Sequence, residues 1–308
     1  MKILVTGGNG MVGKNILTHQ QSKKYEIIAP TKNELNLLNY SDVEKYFKLN
    51  KPDIIIHAAG IVGGIQANIL NPVKFLVDNI DIGRNVLIAA RETNIKKFIN
   101  LASSCMYPRA AKNPLTENLV LQGELEPTNE GYALAKIFST RLCEYISREE
   151  ASFLYKTLIP SNLYGFFDKF DPKNSHMLPA VIKKIHDAKE QGLKSVDIWG
   201  DGKAKREFMF AEDLVDFIFF SIENLEKLPQ NINVGVSKDY SINEYYEVIA
   251  KIVGYNGKFI HDISKPVGMK QKLIDSSKAN GLGWKPKTSL EEGIKKTYEY
   301  YRKEILKQ

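Results

Sequence analysis

The sequence predicts an α/β protein, with a doubly wound parallel sheet in the N-terminal half and a smaller α/β domain in the C-terminal half. Short runs of Val, Ile and Leu lack the polar alternation of a half-exposed strand, so both faces of these strands are expected to be buried. Longer stretches with helical periodicity separate them, as in repeated βαβ units. A glycine-rich turn directly follows the first run. Together these observations favour one parallel sheet with helices on both faces.

The first half of the chain alternates strands and helices. The predicted strands are 2–6, 25–30, 53–58, 97–103 and 154–159, each an apolar run bounded by polar or turn-forming residues. The predicted helices begin near Met11 and then cover 42–49, 72–93 and 132–149.

The pattern changes after Gly165. Residues 165–175 are rich in Phe, Asp and Lys and are expected to form a crossing loop. Helices are predicted at 177–191, 212–224, 242–253 and 289–303, with strands at 195–199 and 232–234. We therefore expect a larger domain, 1–165, and a smaller substrate-binding domain, 166–308, with some chain crossing between the two.

The composition is that of a globular protein of 308 residues, with 43% hydrophobic and 26% charged residues. Its 43 Lys and Arg against 36 Asp and Glu give a net charge of +7, which fits an anionic small molecule as well as nucleic acid. The charge is spread rather than clustered, and no nucleic-acid partner is expected. Two cysteines, Cys105 and Cys143, are too few for a disulfide framework or a four-cysteine zinc site, and no metal is expected. The N-terminal apolar run is too short for a signal peptide, and no stretch is long enough to span a membrane, so a cytoplasmic protein is expected.

Gly7, Gly10 and Gly13 form a G-x-x-G-x-x-G turn between the first predicted strand and the first predicted helix. Glycine lets the backbone bend sharply and approach a pyrophosphate, and the helix N-terminus that follows offers unpaired N–H groups. A plain tight turn is the alternative, but the position at the start of a βαβ unit favours dinucleotide binding. Residues 1–165 are therefore expected to form a dinucleotide-binding domain.

The end of the second predicted strand bears on the choice of cofactor. A fold selective for NAD usually has an acidic residue there, which binds the ribose 2′-hydroxyl. This chain has none before Glu34, and Lys32 could pair with a 2′-phosphate. The sequence thus favours NADP, with a solvated loop lysine as the alternative interpretation of Lys32.

Three residues form a candidate acid–base site. Tyr132 and Lys136 lie four apart at the start of a predicted helix and share one face, and Ser103 lies where the fourth predicted strand ends. The lysine cation is expected to lower the tyrosine pKa, and the serine can hydrogen-bond the reacting oxygen. Together they could protonate the alkoxide formed when a hydride attacks a ketone. The alternative interpretation is that Tyr132 and Lys136 are an ordinary exposed i,i+4 pair on a helix surface.

This combination resembles the extended short-chain dehydrogenase/reductase family, which has the dinucleotide-binding Rossmann fold. Further segments are similar to the branch of that family that acts on GDP-4-keto-6-deoxy-sugars; they are 62–68, 103–108, 123–130, 162–165, 174–176 and 206–208. The likeness extends from Gly7 to about Tyr298. It implies an NADP-dependent 3,5-epimerase and 4-reductase whose product is GDP-L-fucose or a closely related GDP-deoxysugar.

The resemblance also implies roles for individual residues. The catalytic residues are Ser103, Cys105, Tyr132, Lys136 and His176. The cofactor contacts are Gly7, Gly10, Met11, Val12, Gly13, Lys32, Ala102, Ser103, Lys136, Pro160, Asn162, Leu163 and His176. The substrate contacts are Ser104, Asn162, Lys184, Trp199, Arg206 and Lys272.

In this assignment Cys105 and His176 form the epimerisation pair. Carbons 3 and 5 of the sugar flank the 4-ketone, so both carry acidified protons, and inversion needs a base on one face and an acid on the other. Unperturbed thiol and imidazole pKa values, near 8.5 and 6.5, straddle neutral pH. A buried apolar cysteine and an ordinary histidine are the alternative. Cys143 and His57 are expected to be structural.

The sequence departs from this branch at four places, so the identity of the GDP-4-keto sugar is not determined by the resemblance. Asn9 and Lys184 stand where arginine is common, Phe166-Phe167 where a Pro-His type of pair is usual, and Val267 where an acidic substrate contact is often found. The GDP-4-keto sugar could therefore be a precursor of a 3,6-dideoxy hexose or a 6-deoxy heptose.

Two other functions also fit the pattern. One is a 4-reductase or 4-epimerase of another nucleotide sugar that does not epimerise carbons 3 and 5; the other is a non-catalytic nucleotide-binding protein. By analogy with the family, a homodimer is expected through the helices predicted at 72–93 and 132–149.

Overall fold

The computed structural model describes residues 1–171, 175–265 and 268–307. In the first half of the chain, the elements are β1 (Lys2–Thr6), α1 (Met11–Thr18), β2 (Glu26–Ile28), α2 (Tyr40–Asn50), β3 (Ile54–His57), α3 (Ile65–Leu70), α4 (Pro72–Glu92), β4 (Lys97–Leu101), α5 (Glu130–Glu149), β5 (Leu154–Pro160) and β6 (Asn162–Tyr164). They are followed by α6 (Met177–Glu190), β7 (Ser195–Trp199), β8 (Lys205–Arg206), β9 (Phe208–Phe210), α7 (Ala211–Glu223), β10 (Asn231–Val234), β11 (Tyr240–Ser241), α8 (Ile242–Val253), β12 (Lys258–Asp262), β13 (Gln271–Lys272), α9 (Ser277–Gly281) and α10 (Leu290–Tyr300).

A six-stranded parallel sheet has the strand order β10-β5-β4-β3-β1-β2. Neighbouring residues of β1 pack into different cores: Ile3 and Val5 join the cluster that contains α1 and α7, while Leu4 joins that of α2, α4 and α5. Helices thus cover both faces of the sheet, which explains the absence of polar alternation in its strands. The predicted doubly wound parallel sheet is confirmed.

The strand order reverses between β1 and β3. β2 lies on one side of β1, whereas β3, β4 and β5 follow on the other. In such sheets, ligands bind in the crevice that forms outside the carboxyl ends of the strands at the reversal. The glycine turn after β1 therefore lies at the position where a ligand is expected.

The second half of the chain has a core of its own. α6, α8 and α10 contribute the buried Leu178, Ile182, Tyr245, Ile249 and Ile294 to one cluster. Three smaller sheets accompany them, in the orders β11-β8-β13, β12-β7 and β6-β9. The chain also returns to the large sheet through α7 and β10. The division into domains 1–165 and 166–308 stays a prediction.

Several predicted boundaries differ from the observed ones. β2 is shorter than predicted, and β4 ends at Leu101 rather than at 103. The reason at β4 is local, because the Ser103 side chain accepts a hydrogen bond from Cys105 N (3.3 Å) and caps a short 3₁₀ helix, Ser104–Met106. The elements that were not predicted are α3, α9, β6, β8, β9, β11, β12 and β13. In the part of the chain that the structure describes, no helix has the length and apolarity needed to cross a membrane.

Candidate active site

A cleft of about 1290 Å³ lies at the carboxyl ends of the central strands, between the large sheet and the C-terminal core. The predicted catalytic, cofactor and substrate residues line it, with one exception. Ser104 is buried in the 3₁₀ helix and lies outside that lining. Asn174 and Val267 lie outside the described residues.

The glycine turn is held closely against the sheet. Gly7 has φ +75°, and a Cβ there would lie 2.7 Å from the backbone nitrogen of Ala59 on the loop after β3. At Gly13, a Cβ would lie 2.2 Å from the Gly7 carbonyl oxygen. Only glycine therefore lets the first turn of α1 pack on the strand. The Gly10 N–H donates to the Gly7 carbonyl (2.9 Å), which closes the turn. These residues fit a dinucleotide pyrophosphate, because the backbone is free of side chains where the phosphates approach.

The adenosine end of the cleft carries little charge. Pro30 and Lys32, which follow β2, both line the cleft. The first acidic residue, Glu34, turns back and accepts a hydrogen bond from the Thr31 backbone N–H (2.7 Å). Its carboxylate is therefore used within the loop, and Lys32 is the first charged residue after β2.

Lys136 and Tyr132 project from the first turns of α5 into the cleft. Lys136 is buried, and its ammonium donates to the Leu101 carbonyl at the end of β4 (2.8 Å) and lies 5.7 Å from the centre of the Tyr132 ring. Burial lowers the Lys136 pKa to about 8, although Cys105 opposes that shift. A lysine in this state changes its charge near physiological pH.

The Tyr132 hydroxyl has an environment different from the one predicted. We expected Lys136 to lower the Tyr132 pKa; burial instead raises it, and the charge that Cys105 can carry raises it further. In the ligand-free cleft, Tyr132 therefore keeps its proton. A protonated phenol is the form that donates to an alkoxide.

Cys105 and His176 both line the cleft and come from different elements. Cys105 lies in the 3₁₀ helix after β4 with 4% of its surface exposed, and His176 is the N-cap residue of α6. Burial raises the Cys105 pKa, and Lys272, Ser103 and Lys136 lower it by smaller amounts. Burial also lowers the His176 pKa, with Lys272 and Lys169 adding to the effect. Both groups are thus neutral before a ligand enters.

Four of the predicted substrate residues line the cleft from the C-terminal half of the chain: Lys184, Trp199, Arg206 and Lys272. The Lys184 ammonium is paired with the Asp197 carboxylate (2.7 Å). Trp199, at the end of β7, is 44% exposed, and the Lys265 ammonium lies 5.8 Å from the centre of its ring. Lys272 lies beside Arg206 across the β13–β8 pairing.

Asn162 is already engaged, since its side-chain amide donates to the Glu207 carbonyl (2.8 Å). Its position is thereby fixed where β6 pairs with β9.

The acidic residues of the cleft lining were not predicted, and two of them, Asp168 and Glu126, lie in loops. Asp168 is buried, and one of its oxygens accepts from the Lys169 N–H (2.8 Å), while the other has no hydrogen-bond partner among the described residues. Burial raises the Asp168 pKa to about 7. Glu126 also lines the cleft and acts electrostatically on Arg206 and Lys272. No spacing in the sequence marks either residue, because both lie in loops.

His57 and Cys143, which were expected to be structural, are both buried in the fold. The His57 ring nitrogen Nδ1 shares a hydrogen bond with the Thr6 hydroxyl (2.8 Å) between adjacent strands. Burial, together with the Lys136 charge, lowers the His57 pKa to about 3, so the ring is neutral. Cys143 is fully buried in the cluster formed by α2, α4 and α5.

A dinucleotide turn that opens into the same cleft as a Ser–Tyr–Lys group and a thiol–imidazole pair defines an NAD(P)-dependent enzyme with oxidoreductase and epimerase chemistry. The sequence model of the NAD dependent epimerase/dehydratase family matches residues 3–235, and the chain belongs to this family. The resemblance noted in the sequence is thereby confirmed.

The relatives are enzymes of GDP-sugar metabolism. Over 99% of each chain, 62% of residues are identical to GDP-L-colitose synthase of Yersinia pseudotuberculosis. The identity to GDP-L-fucose synthase of Azorhizobium caulinodans is 50%, over 97% of this chain and 96% of the relative. A solved structure of GDP-mannoheptose C4 reductase from Campylobacter jejuni, with NADP bound, superposes with a TM-score of 0.88 at 32% identity, over 98% of both chains.

Proposed function

We propose that this chain epimerises a GDP-4-keto-6-deoxy-sugar at carbons 3 and 5 and reduces the 4-ketone with NADPH, giving GDP-L-fucose or a closely related GDP-deoxysugar. The observation that carries the proposal is the convergence of five groups on one cleft beside the glycine turn: Ser103, Cys105, Tyr132, Lys136 and His176. Reduction alone needs only three of them.

Each epimerisation inverts one carbon by moving protons. The Cys105 thiolate removes the proton from carbon 3 or carbon 5, and the electron pair of that C–H bond passes into the enolate of the 4-ketone. His176, protonated in the substrate complex, returns a proton to the opposite face. Because the two groups are carried by different elements of the cleft, one can act on each face of the sugar without the sugar turning over.

The reduction uses the groups on α5 and after β4. NADPH supplies a hydride for carbon 4 when it is bound. Tyr132 gives its proton to the developing alkoxide, Ser103 hydrogen-bonds the same oxygen, and Lys136 holds the nicotinamide ribose. The raised pKa of Tyr132 suits this direction, since the residue enters the reaction already protonated.

NADP rather than NAD is the proposed cofactor. Support comes from Lys32, which can pair with a 2′-phosphate, and from the diversion of Glu34 into its own loop. The NADP bound to the reductase of similar fold agrees with this preference.

The nature of the sugar is the finer part of the proposal. A relative with 62% identity is named for colitose and one with 50% identity is named for fucose. A 4-reductase that does not epimerise is the second candidate, because the C4 reductase covers 98% of this chain at 32% identity. The Cys105 and His176 pair favours the two-step enzyme.

The proposed partners are the GDP-sugar and a second copy of this chain, and the proposed location is the cytoplasm. α4 and α5 pack side by side and leave the apolar Val73, Val77, Leu134 and Tyr145 exposed. Exposed apolar side chains on neighbouring helices are typical of a dimer interface. Both cysteines are free, as expected in a reducing compartment.

The experiment that tests this function separates its two halves. With a GDP-4-keto sugar in D₂O, Cys105→Ser is expected to lower deuterium uptake at carbons 3 and 5 by about a hundredfold or more, because the base is lost. Tyr132→Phe is expected to leave uptake largely intact while NADPH oxidation collapses. Mass spectrometry, NMR of the product and absorbance at 340 nm measure these outcomes.

Cys143→Ala is the matched control, because that cysteine is buried in the core away from the cleft. It should exchange at the wild-type rate. Undiminished uptake in Cys105→Ser would remove Cys105 from the mechanism, and equal loss of both activities in Tyr132→Phe would contradict two separable steps.

A further inference from the structure

The chain segment that carries Lys272 is held from both sides. On one side, β13 pairs in parallel with β8, so that Lys272 lies opposite Arg206. On the other side, Leu115 N–H donates to the Leu273 carbonyl (2.8 Å), and Asp275 N–H donates to the Leu115 carbonyl (2.9 Å). Lys272 is therefore carried by a fixed strand rather than by a loose loop.

The same segment brings Lys272 to the thiol. Ile274 packs in one buried cluster with Cys105 and Leu115. In an extended chain, side chains two residues apart point to the same side, so Lys272 and Ile274 lie on one side of this segment. Lys272 and Cys105 both line the cleft.

We propose that Lys272 is a positioning residue for the epimerase step, in which its ammonium is the counter-ion that stabilises the Cys105 thiolate. This inference rests on the proposed function, in which Cys105 removes the sugar protons. It gives Lys272 a role in the reaction beyond the substrate contact implied by the resemblance.

The charges around the thiol support this role. Lys272 is the strongest of the charges that lower the Cys105 pKa; Lys136, on α5, has a smaller effect. The groups that face this pair from the surrounding elements are Ser103, Glu126, Tyr132, Lys136, His176 and Arg206. Glu126 favours the charged form of Lys272, whereas Arg206 and burial oppose it.

Binding of the substrate makes such a counter-ion necessary. A GDP-sugar brings two phosphate charges into the cleft, and these raise the pKa of any nearby titrating group. The rise helps His176 to gain the proton it must donate. The phosphate charges would also raise the Cys105 pKa and keep this residue a thiol. A cation near the sulfur therefore has to offset their effect. The thiolate then takes the substrate proton and becomes a thiol, while the C–H electron pair forms the enolate.

The test measures thiol ionisation without substrate. The rate of Cys105 alkylation by iodoacetamide is followed against pH, with peptide mass mapping to separate Cys105 from Cys143. Lys272→Met should move the alkylation profile to higher pH by one unit or more, which is about a tenfold slower reaction at neutral pH. Lys272→Arg should restore most of the wild-type profile, because the positive charge returns.

Lys270→Met is the matched control, because Lys270 is exposed and lies outside the cleft lining. This substitution changes the net charge by the same amount as Lys272→Met. Its profile should follow the wild type. An unchanged profile in Lys272→Met, with NADPH binding retained as evidence of folding, would overturn the proposal.

If Lys272→Met does not fold, the comparison moves to Lys272→Arg and Lys272→Gln, and equal profiles in those two variants would also overturn it. The assay needs no sugar, so this outcome is distinct from undiminished exchange in Cys105→Ser, which would contradict the proposed role of Cys105 itself.

Discussion

At the residue scale, burial controls the chemistry of the cleft. The same desolvation acts in opposite directions on the two α5 residues, since it disfavours the charged form of each. It raises the pKa of Tyr132 and lowers that of Lys136. The spacing of the two residues was visible in the sequence, but their burial was not, and the expected lowering of the tyrosine pKa was therefore wrong for the ligand-free protein.

The lowered pKa of Lys136 predicts that the reaction is sensitive to alkali. A lysine is charged below its pKa and neutral above it, and the Lys136 pKa is about 8 rather than 10.5. We expect kcat/KM for NADPH, which reports the free enzyme, to fall as pH rises through about 8. Steady-state rates between about pH 6 and pH 10 measure it.

Lys136→Arg provides the control for this titration. Guanidinium stays charged over the whole range, so the activity that the variant retains should not decline near pH 8. A wild-type profile that stays flat to about pH 10 would show that Lys136 does not titrate as described.

At the element scale, the sequence correctly predicted elements whose side chains pack at a regular period. It did not predict the short strands that depend on pairing with distant segments of the chain. β7 and α8 have the predicted bounds, because their apolar spacing matches the two-residue and 3.6-residue repeats. β8 and β13 are only two residues long and form strands because they pair with distant segments: β13 pairs with β8, and β8 also pairs with β11. α3 was missed because, with six residues, it presents too little apolar periodicity; the Asn68 side chain anchors it to Gly63 and Gly64 carbonyls (3.0 Å each).

Glu207 is the residue that joins these short elements. Its carboxylate accepts backbone N–H groups from Val236 (2.6 Å), Ser237 (2.9 Å) and Ile274 (2.9 Å). It therefore ties the loop after β10 and the segment after β13 to the strand that bears Arg206. The side chain is 1% exposed, so water cannot replace it as an acceptor.

Removal of this carboxylate should destabilise the protein. Glu207→Ala leaves three backbone N–H donors without their acceptor, among them that of the buried Ile274, and the free energy of unfolding is expected to fall by about 3 kcal/mol. The midpoint of urea unfolding, at an unchanged slope, measures the effect.

Glu124→Ala is the matched substitution. Glu124 is 80% exposed in its side chain and pairs with Arg109 at the surface, so its loss should change stability by less than about 1 kcal/mol. Equal midpoints for the two variants would contradict the structural role of Glu207.

At the scale of the whole molecule, the sequence was sufficient for the fold and for most members of the site. A glycine turn after the first strand and a serine after the fourth converge because parallel strands deliver their carboxyl ends to one edge. The convergence of His176 and Lys272 could be inferred only from family resemblance, since they come from distant loops and strands. Contacts made by tertiary packing leave no local signal in the chain.

The proposed dimer face gives a prediction at this scale. Leu134→Asp places a charge within the apolar surface of α4 and α5, where Leu134 is 40% exposed. Size-exclusion chromatography with light scattering should then report 34.9 kDa instead of twice that mass.

Leu49→Asp is the control, since Leu49 is 79% exposed on α2, outside that face. It should leave the mass unchanged. A wild-type protein that already has the mass of one chain would contradict the dimer, and a Leu134→Asp protein with the wild-type mass would contradict the choice of face.

The position of β10 has a consequence for biosynthesis. This strand pairs with β5, yet about 70 residues of chain separate Thr157 from its partner Asn231. While the ribosome is still translating that interval, the outer edge of β5 has no neighbour, and unpaired edges invite aggregation. During this interval the nascent chain exposes the unpaired edge of β5, which a chaperone would protect from aggregation. The exposure ends once residue 234 has left the exit tunnel and β10 can pair with β5.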